Sequence, residues 1–271
     1  RGRYGPAASG LALAVALLWT AHPLQTQSVT YLVQRSESLM GLCYLLTLYC
    51  VIRAASSSSP RRWTVGAVGS CALGMASKPV MLTAPAVLLC YDRIFLASSW
   101  RDVWRRRGRL HAGLMATWGL LALLLLRHPE LAEPSAGFGL EEVDLLGYAA
   151  TQPGVLLRYL RLALWPAGFC LDYGWPVARA AGAIIPPALA VGALLAVTGW
   201  ALRRHPPLGF LGLWFFVILA PTSSVYPLKD LAMEHRMYLP LAAVLTLIVL
   251  AAERLLARAP ASTQGRRRLA V

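Results

Sequence analysis

Apolar residues fall along this chain in long blocks separated by short polar turns. Eight blocks stand out, at about residues 5–21, 36–52, 63–77, 79–92, 110–127, 183–202, 207–221 and 238–256. A helix needs roughly 20 residues to cross the hydrocarbon core of a bilayer. The pattern therefore predicts an all-α, polytopic membrane protein of about eight transmembrane helices, occupying residues 1–258. The third and fourth blocks are short and are broken only by Ser77-Lys78-Pro79, which reads as the tip of a hairpin. A different pattern occupies Val155–Trp165, where Arg158 and Arg161 oppose Leu156, Leu157, Leu160 and Leu164. That stripe predicts a helix lying in the membrane interface, within a long loop.

The stretch His22–Met40 departs from the rest. Between two apolar blocks it carries His22, Gln25, Gln27, Gln34, Arg35 and Glu37, a dense polar group for a turn. Read as a helix from about Thr26, it places Val29, Leu32, Val33 and Met40 on one side. Tyr31, Gln34, Arg35 and Ser38 fall on another. The two readings are a helix with its apolar side toward neighbouring helices and its polar side toward a cavity, and an interfacial turn whose polar groups meet only water and headgroups.

Composition agrees with a membrane protein: 57% of residues are hydrophobic and 14% charged, against roughly 25% charged in a soluble domain. The charge is lopsided, with 26 Lys+Arg and 12 Asp+Glu. The basic residues cluster in short loops between apolar blocks, which points to membrane topology. No nucleic-acid-binding motif accompanies them. Alternating eight spans from a cytoplasmic Arg1 puts 18 of the 26 basic residues on the cytoplasmic side and 9 of the 12 acids outside. Outer segments are then about 22–36, the tip at Lys78, 128–184 and 222–237, and residues 259–271 form a basic cytoplasmic tail. The absence of Asn and the excess of Arg over Lys point to a GC-rich gene and a bacterial inner membrane. Arg1 stands where a start Met would, so the sequence reads as a piece of a longer protein. The five cysteines form no CxxC pair, which indicates neither a disulfide framework nor a zinc site.

The outer segments bring candidate chemistry. Arg35, Lys78, Lys229 and Arg236, with His22 and His235, form a set of groups suited to a phosphate at the membrane surface. Arg supplies bidentate contacts and Lys a point charge. Charged groups at the ends of membrane helices are functional candidates by default. A lone Asp172 before Tyr173 reads as a turn residue rather than a ligand. No P-loop, GxGxxG, HExxH or GxSxG is present, which argues against a nucleotide enzyme, a zinc protease or a serine hydrolase. No metal-ligand cluster or cofactor motif is evident, so a divalent metal is not indicated.

Four segments carry a resemblance: HPLQTQSVTYLVQRSESL, Ser77-Lys78-Pro79 ahead of Tyr91-Asp92, LWPAGFCLDY and MEHRMYLP. In this order they resemble the outer-face motifs of the transmembrane and tetratricopeptide repeat-containing O-mannosyltransferases and their bacterial relatives, across about residues 20–240. The resemblance implies a GT-C type glycosyltransferase fold. It implies transfer of a sugar, mannose in that family, from a polyprenyl-phosphate carrier to a hydroxyl acceptor, protein or glycan, on the outer face. It assigns Arg35, Lys78 and Arg236 to the donor phosphate, and His22, Glu37, Glu234 and His235 to lining and orienting the cavity, with Glu234 orienting Arg236 or His235. The family's catalytic acids would lie upstream of residue 1, leaving this piece without its general base. Gln27 stands where the family has Glu, and His235 intervenes between Glu234 and Arg236. No 34-residue repeat follows the membrane part. The alternatives are a lipid or solute transporter using the same cavity, and a non-catalytic membrane scaffold.

Overall fold

The structure, a computed structural model, describes residues 4–127, 144–224 and 227–258. The expected tail 259–271 and the acidic opening of the long loop (Glu130, Glu133, Glu141 and Glu142) lie outside those residues. The described chain is helical throughout, without strands. Its α-helices are α1 (Ala7–Ala21), α2 (Thr26–Thr30), α3 (Arg35–Ser56), α4 (Pro60–Ser77), α5 (Ala84–Tyr91), α6 (Trp100–Arg127), α7 (Leu145–Leu164), α8 (Ala181–Arg204), α9 (Pro206–Leu219) and α10 (Pro240–Arg258). Each of the eight apolar blocks is helical. Among the described residues, five helical segments are long and apolar enough to cross a membrane: 32–56, 79–96, α6, α8 and α10. A sixth arises if α1 and the bent segment Pro23–Thr30, 56° away in direction, form one span. These helices fit an integral, multi-pass membrane protein.

Small side chains set the helix order. Thr47 of α3 meets Ser70 of α4 at 3.0 Å, and Cys50 Sγ lies 3.2 Å from where a Cβ on Gly66 would stand, so α3 and α4 run antiparallel. Val68 abuts Gly113, and Cys71 meets Thr117 at 3.3 Å, so α6 runs parallel to α4. The segment 79–96 must therefore return along the bundle, and the break at Lys78 is a hairpin tip. Thr198 against Gly212 and Leu202 against Gly209 make α8 and α9 antiparallel. Phe210 stacks edge-on to Tyr91 at 5.5 Å and Phe95 at 5.4 Å, which places the start of α9 beside the end of the returning segment. As a result Arg53–Arg62, Arg93–Arg109 and Arg203–Arg204 gather at one end of the bundle.

Two sequence expectations change here. The helix read from Thr26 breaks at Tyr31, whose backbone is extended (φ −83°, ψ 110°), and 3-10 turns flank α2. Of its apolar side only Met40 is buried: Val29, Leu32 and Val33 are 60–70% exposed, whereas Gln25, Gln27, Ser28 and Glu37 are buried. Lipid, unlike water, accepts apolar side chains, so here polar groups converge inward around a cavity. In α7 the buried stripe runs through Tyr148, Val155, Leu156, Tyr159 and Leu162, with Leu157 and Leu160 packed against the core as expected, while Leu164 is exposed. The buried tyrosine hydroxyls select that face, because each finds a main-chain partner on 222–233: Tyr148 donates to Thr222 O and Tyr159 accepts from Met233 N.

Candidate functional site

At the end of the bundle opposite the basic loops, a cavity of about 320 Å³ opens among Tyr31, Gln34, Glu37, Lys78, Thr222, Asp230, His235 and Arg236. Lys78 reaches it because α4 stops at Ser77 and the next residue is extended (φ −157°, ψ 137°), with Pro79 starting a new turn. Its ammonium bonds Glu37 Oε2 at 2.6 Å and Gln34 Oε1 at 3.0 Å. Both side chains of the ion pair are nearly buried. Glu37 lies in the first turn of α3, where the helix dipole favours a carboxylate.

His235 and Arg236 come from the 3-10 turn Glu234–Met237. Tyr238, just beyond, anchors this turn by packing on Trp19 (4.9 Å) and against the bare backbone of Gly41. Gln27 Oε1 accepts from His235 N at 2.9 Å and from Nδ1 at 3.1 Å, while Gln27 Nε2 donates to Leu171 O. Nδ1 therefore carries the imidazole proton and Nε2 is left as the acceptor. Burial holds the imidazole well below its usual titration range, and the charges of Lys78 and Arg236 push it further down. The Arg236 guanidinium donates to three main-chain carbonyls: Thr222 (3.1 Å), Leu231 (3.2 Å) and Asp230 (2.5 Å). Among the described residues no carboxylate oxygen lies within 4 Å of it. Its position is thus fixed by the backbone, and among the described residues no carboxylate forms an ion pair with it.

The other sequence candidates take different places. His22 uses both ring nitrogens structurally: Nδ1 accepts from Leu24 N at 3.2 Å and Nε2 contacts Ala163 O at 3.3 Å. It ties the end of α1 to the end of α7 and does not line the cavity. Arg35 is exposed and also stands outside the cavity lining. Glu234 does not orient Arg236 or His235. Its carboxylate instead accepts from Cys170 N at 3.0 Å and from the Tyr173 hydroxyl. Partial burial and that carboxylate raise the Tyr173 hydroxyl to about 12, so it stays a donor. Asp172 is a turn residue as read from sequence, accepting from Gly174 N at 2.9 Å. Asp92 lies at the basic end, bonded to Arg107 (2.7 and 2.5 Å) and His111 (2.7 Å), far from the cavity.

Sequence reasoning placed Tyr31 and Gln34 on the cavity side without giving them a role, and passed over Gln27 and Asp230 as site residues. Gln27 and Gln34 carried a signal, since both fall in the polar stretch, but no charge drew attention to them. Among the described residues no group of three His, Cys, Asp or Glu side chains could hold a metal ion. No protein-family model matches the chain, and no curated protein or solved structure matches it either.

Proposed function

We propose that this chain forms the membrane part of a GT-C type glycosyltransferase. The reaction is transfer of a sugar, mannose by the resemblance, from a polyprenyl-phosphate carrier to a hydroxyl acceptor such as a protein Ser or Thr. One observation carries the reading: four segments remote in sequence meet at one end of the bundle. Gln27 bonds both Leu171 and His235, Glu234 bonds Tyr173, and Lys78 bonds Gln34 and Glu37. These are the segments that carry the family resemblance, the Tyr91-Asp92 pair excepted.

The chemistry of the cavity suits a lipid phosphate. Transfer breaks the bond between the sugar's anomeric carbon and the phosphate oxygen, and the departing lipid phosphate gains charge. Preorganised cations aimed at that charge lower the barrier more than they aid ground-state binding. Arg236 is fixed by carbonyls and has no ion-pair partner among the described residues. Lys78 can exchange a Glu37 contact for a phosphate oxygen. Neutral His235 adds no charge beside them. In this reading the cavity end faces the periplasm of a bacterial inner membrane, the basic end faces the cytoplasm, and α7 lies near the interface.

The test is transfer of labelled mannose from polyprenyl-phosphate mannose to a Ser/Thr peptide by the full-length protein. Lys78→Ala is expected to lower the rate by at least about 100-fold, the scale of losing one transition-state charge contact, without loss of folded protein. Wild-type turnover in that variant removes Lys78 from the phosphate site. Absence of transfer by the wild-type protein removes the glycosyltransferase reading.

A further inference from the structure

A second cavity, of about 280 Å³, backs onto the first. Gln27 lines it, and the His235 that Gln27 holds lines the first cavity. Tyr31 borders both. The two differ in charge. The first holds two cations, Lys78 and Arg236, beside the acids Glu37 and Asp230 and neutral His235; the second has no basic side chain in its lining and one acid, Glu234. Its remaining wall is hydroxylic and aromatic, with Thr26, Thr30 and Phe169 beside Tyr31. Glu234 is buried, and its Oε1 is occupied by Cys170 N and the Tyr173 hydroxyl. No donor from a described residue reaches its other oxygen.

We propose that this second cavity is the acceptor site, receiving a hydroxyl-bearing side chain that donates a hydrogen bond to Glu234 Oε2. The inference rests on the glycosyltransferase reading for the identity of the occupant. A carboxylate in a wall that carries no cation repels a phosphate and attracts a neutral O–H donor; Arg158 stays outside that wall, over the Tyr173 ring and bonded to Gly168 O. The volume falls at the low end for ligand pockets, which fits one side chain rather than a whole lipid-linked sugar. Aromatic walls give such a group apolar contact on the faces its hydroxyl does not use. Tyr31 then marks where acceptor and donor meet, with the phosphate cations on the far side of the Gln27–His235 pair.

The protein carries its own reporter. Cys170 lines this cavity and is exposed, whereas Cys43, Cys50 and Cys71 are buried. The experiment is the rate of N-ethylmaleimide labelling at Cys170 in the full-length protein, followed by mass spectrometry, with Cys170→Ser as the control for assignment. A Ser/Thr peptide at ten times its Kd is expected to slow labelling about tenfold, because only the empty fraction reacts. The same peptide with Ala at those positions, or polyprenyl phosphate alone, is expected to leave the rate unchanged. If the protein transfers mannose to the peptide but the peptide does not slow labelling, the acceptor-site inference is overturned and the glycosyltransferase reading stands. Protection by polyprenyl phosphate alone places the lipid head in this cavity and also overturns the inference. A wild-type protein that transfers no sugar overturns the parent reading and, with it, the identity of this occupant.

Discussion

Two buried carboxylates, Glu37 and Asp92, show how the same residue type serves site and scaffold. Each is buried with a cation, but Glu37 and its Lys78 partner line a cavity while Asp92 sits 0% exposed among Arg107 and His111. Removing one partner of a buried pair leaves the other uncompensated, at a cost of about 3–5 kcal/mol. Asp92→Ala is therefore expected to lower the melting temperature of the purified protein markedly while the surviving folded fraction keeps full turnover. A variant that melts like wild type would show that the cluster is not a clamp. His235 makes a pH prediction. Its folded-state titration lies well below the unfolded value of 6.5, through burial first and then the charges of Lys78 and Arg236. The unfolded chain takes up a proton below 6.5 that the folded chain refuses. Its contribution to stability is complete above pH 6.5 and is lost as the pH falls from there. Melting curves between pH 7.5 and 5 should thus decline less steeply for His235→Gln than for wild type. Sequence alone identified Lys78, His235 and Arg236 because they are cations and a histidine among apolar blocks. It could not pair Lys78 with Glu37, because that contact depends on the packing of α3 against α4.

At the scale of elements, the breaks matter more than the spans. The chain departs from helix at His22, Tyr31 and Lys78, and all three interruptions lie at the cavity end. The Lys78 break was legible as a Lys-Pro step, and Pro79 explains it. The Tyr31 break was not, because Thr26–Met40 contains neither Gly nor Pro and its spacing suits a continuous helix. What wins there is burial of polar groups: the break lets Gln27 and Ser28 turn inward together with Glu37 while Leu32 and Val33 stay outside. The turn bearing Arg236 is held against α3 through Gly41, where a Cβ would stand 2.3 Å from the Tyr238 ring. Gly41→Ala forces that ring away, and overpacking of this kind costs about 1–3 kcal/mol. The expected result is a reduced turnover larger than the fractional loss of folded protein, because the displaced turn carries His235 and Arg236. Equal losses of turnover and of folded protein would mean that the turn is not positioned by this contact.

Across the whole molecule, the bundle has two chemically distinct ends. Arg-rich loops collect at one, and the two polar cavities, the Lys78–Glu37 ion pair and Arg236 collect at the other. The alternation of apolar blocks and basic loops already predicted that polarity, since each short loop could be assigned an end by its charge. The outward turn of Val29, Leu32 and Val33 and the displacement of Arg35 from the cavity were not predicted, because amphipathic spacing cannot say whether the apolar side meets protein or lipid. The central claim is that the cavity of Lys78, His235 and Arg236 holds a lipid-linked phosphate. The most direct measurement is crosslinking with a polyprenyl phosphate that carries a photoreactive group beside its phosphate, mapped by mass spectrometry on the full-length protein. The account predicts adducts on residues 31–37, 78–80 and 228–236, competed away by unlabelled polyprenyl phosphate and lost in Lys78→Ala. Adducts concentrated at the basic end, or adducts that unlabelled lipid does not displace, would contradict it.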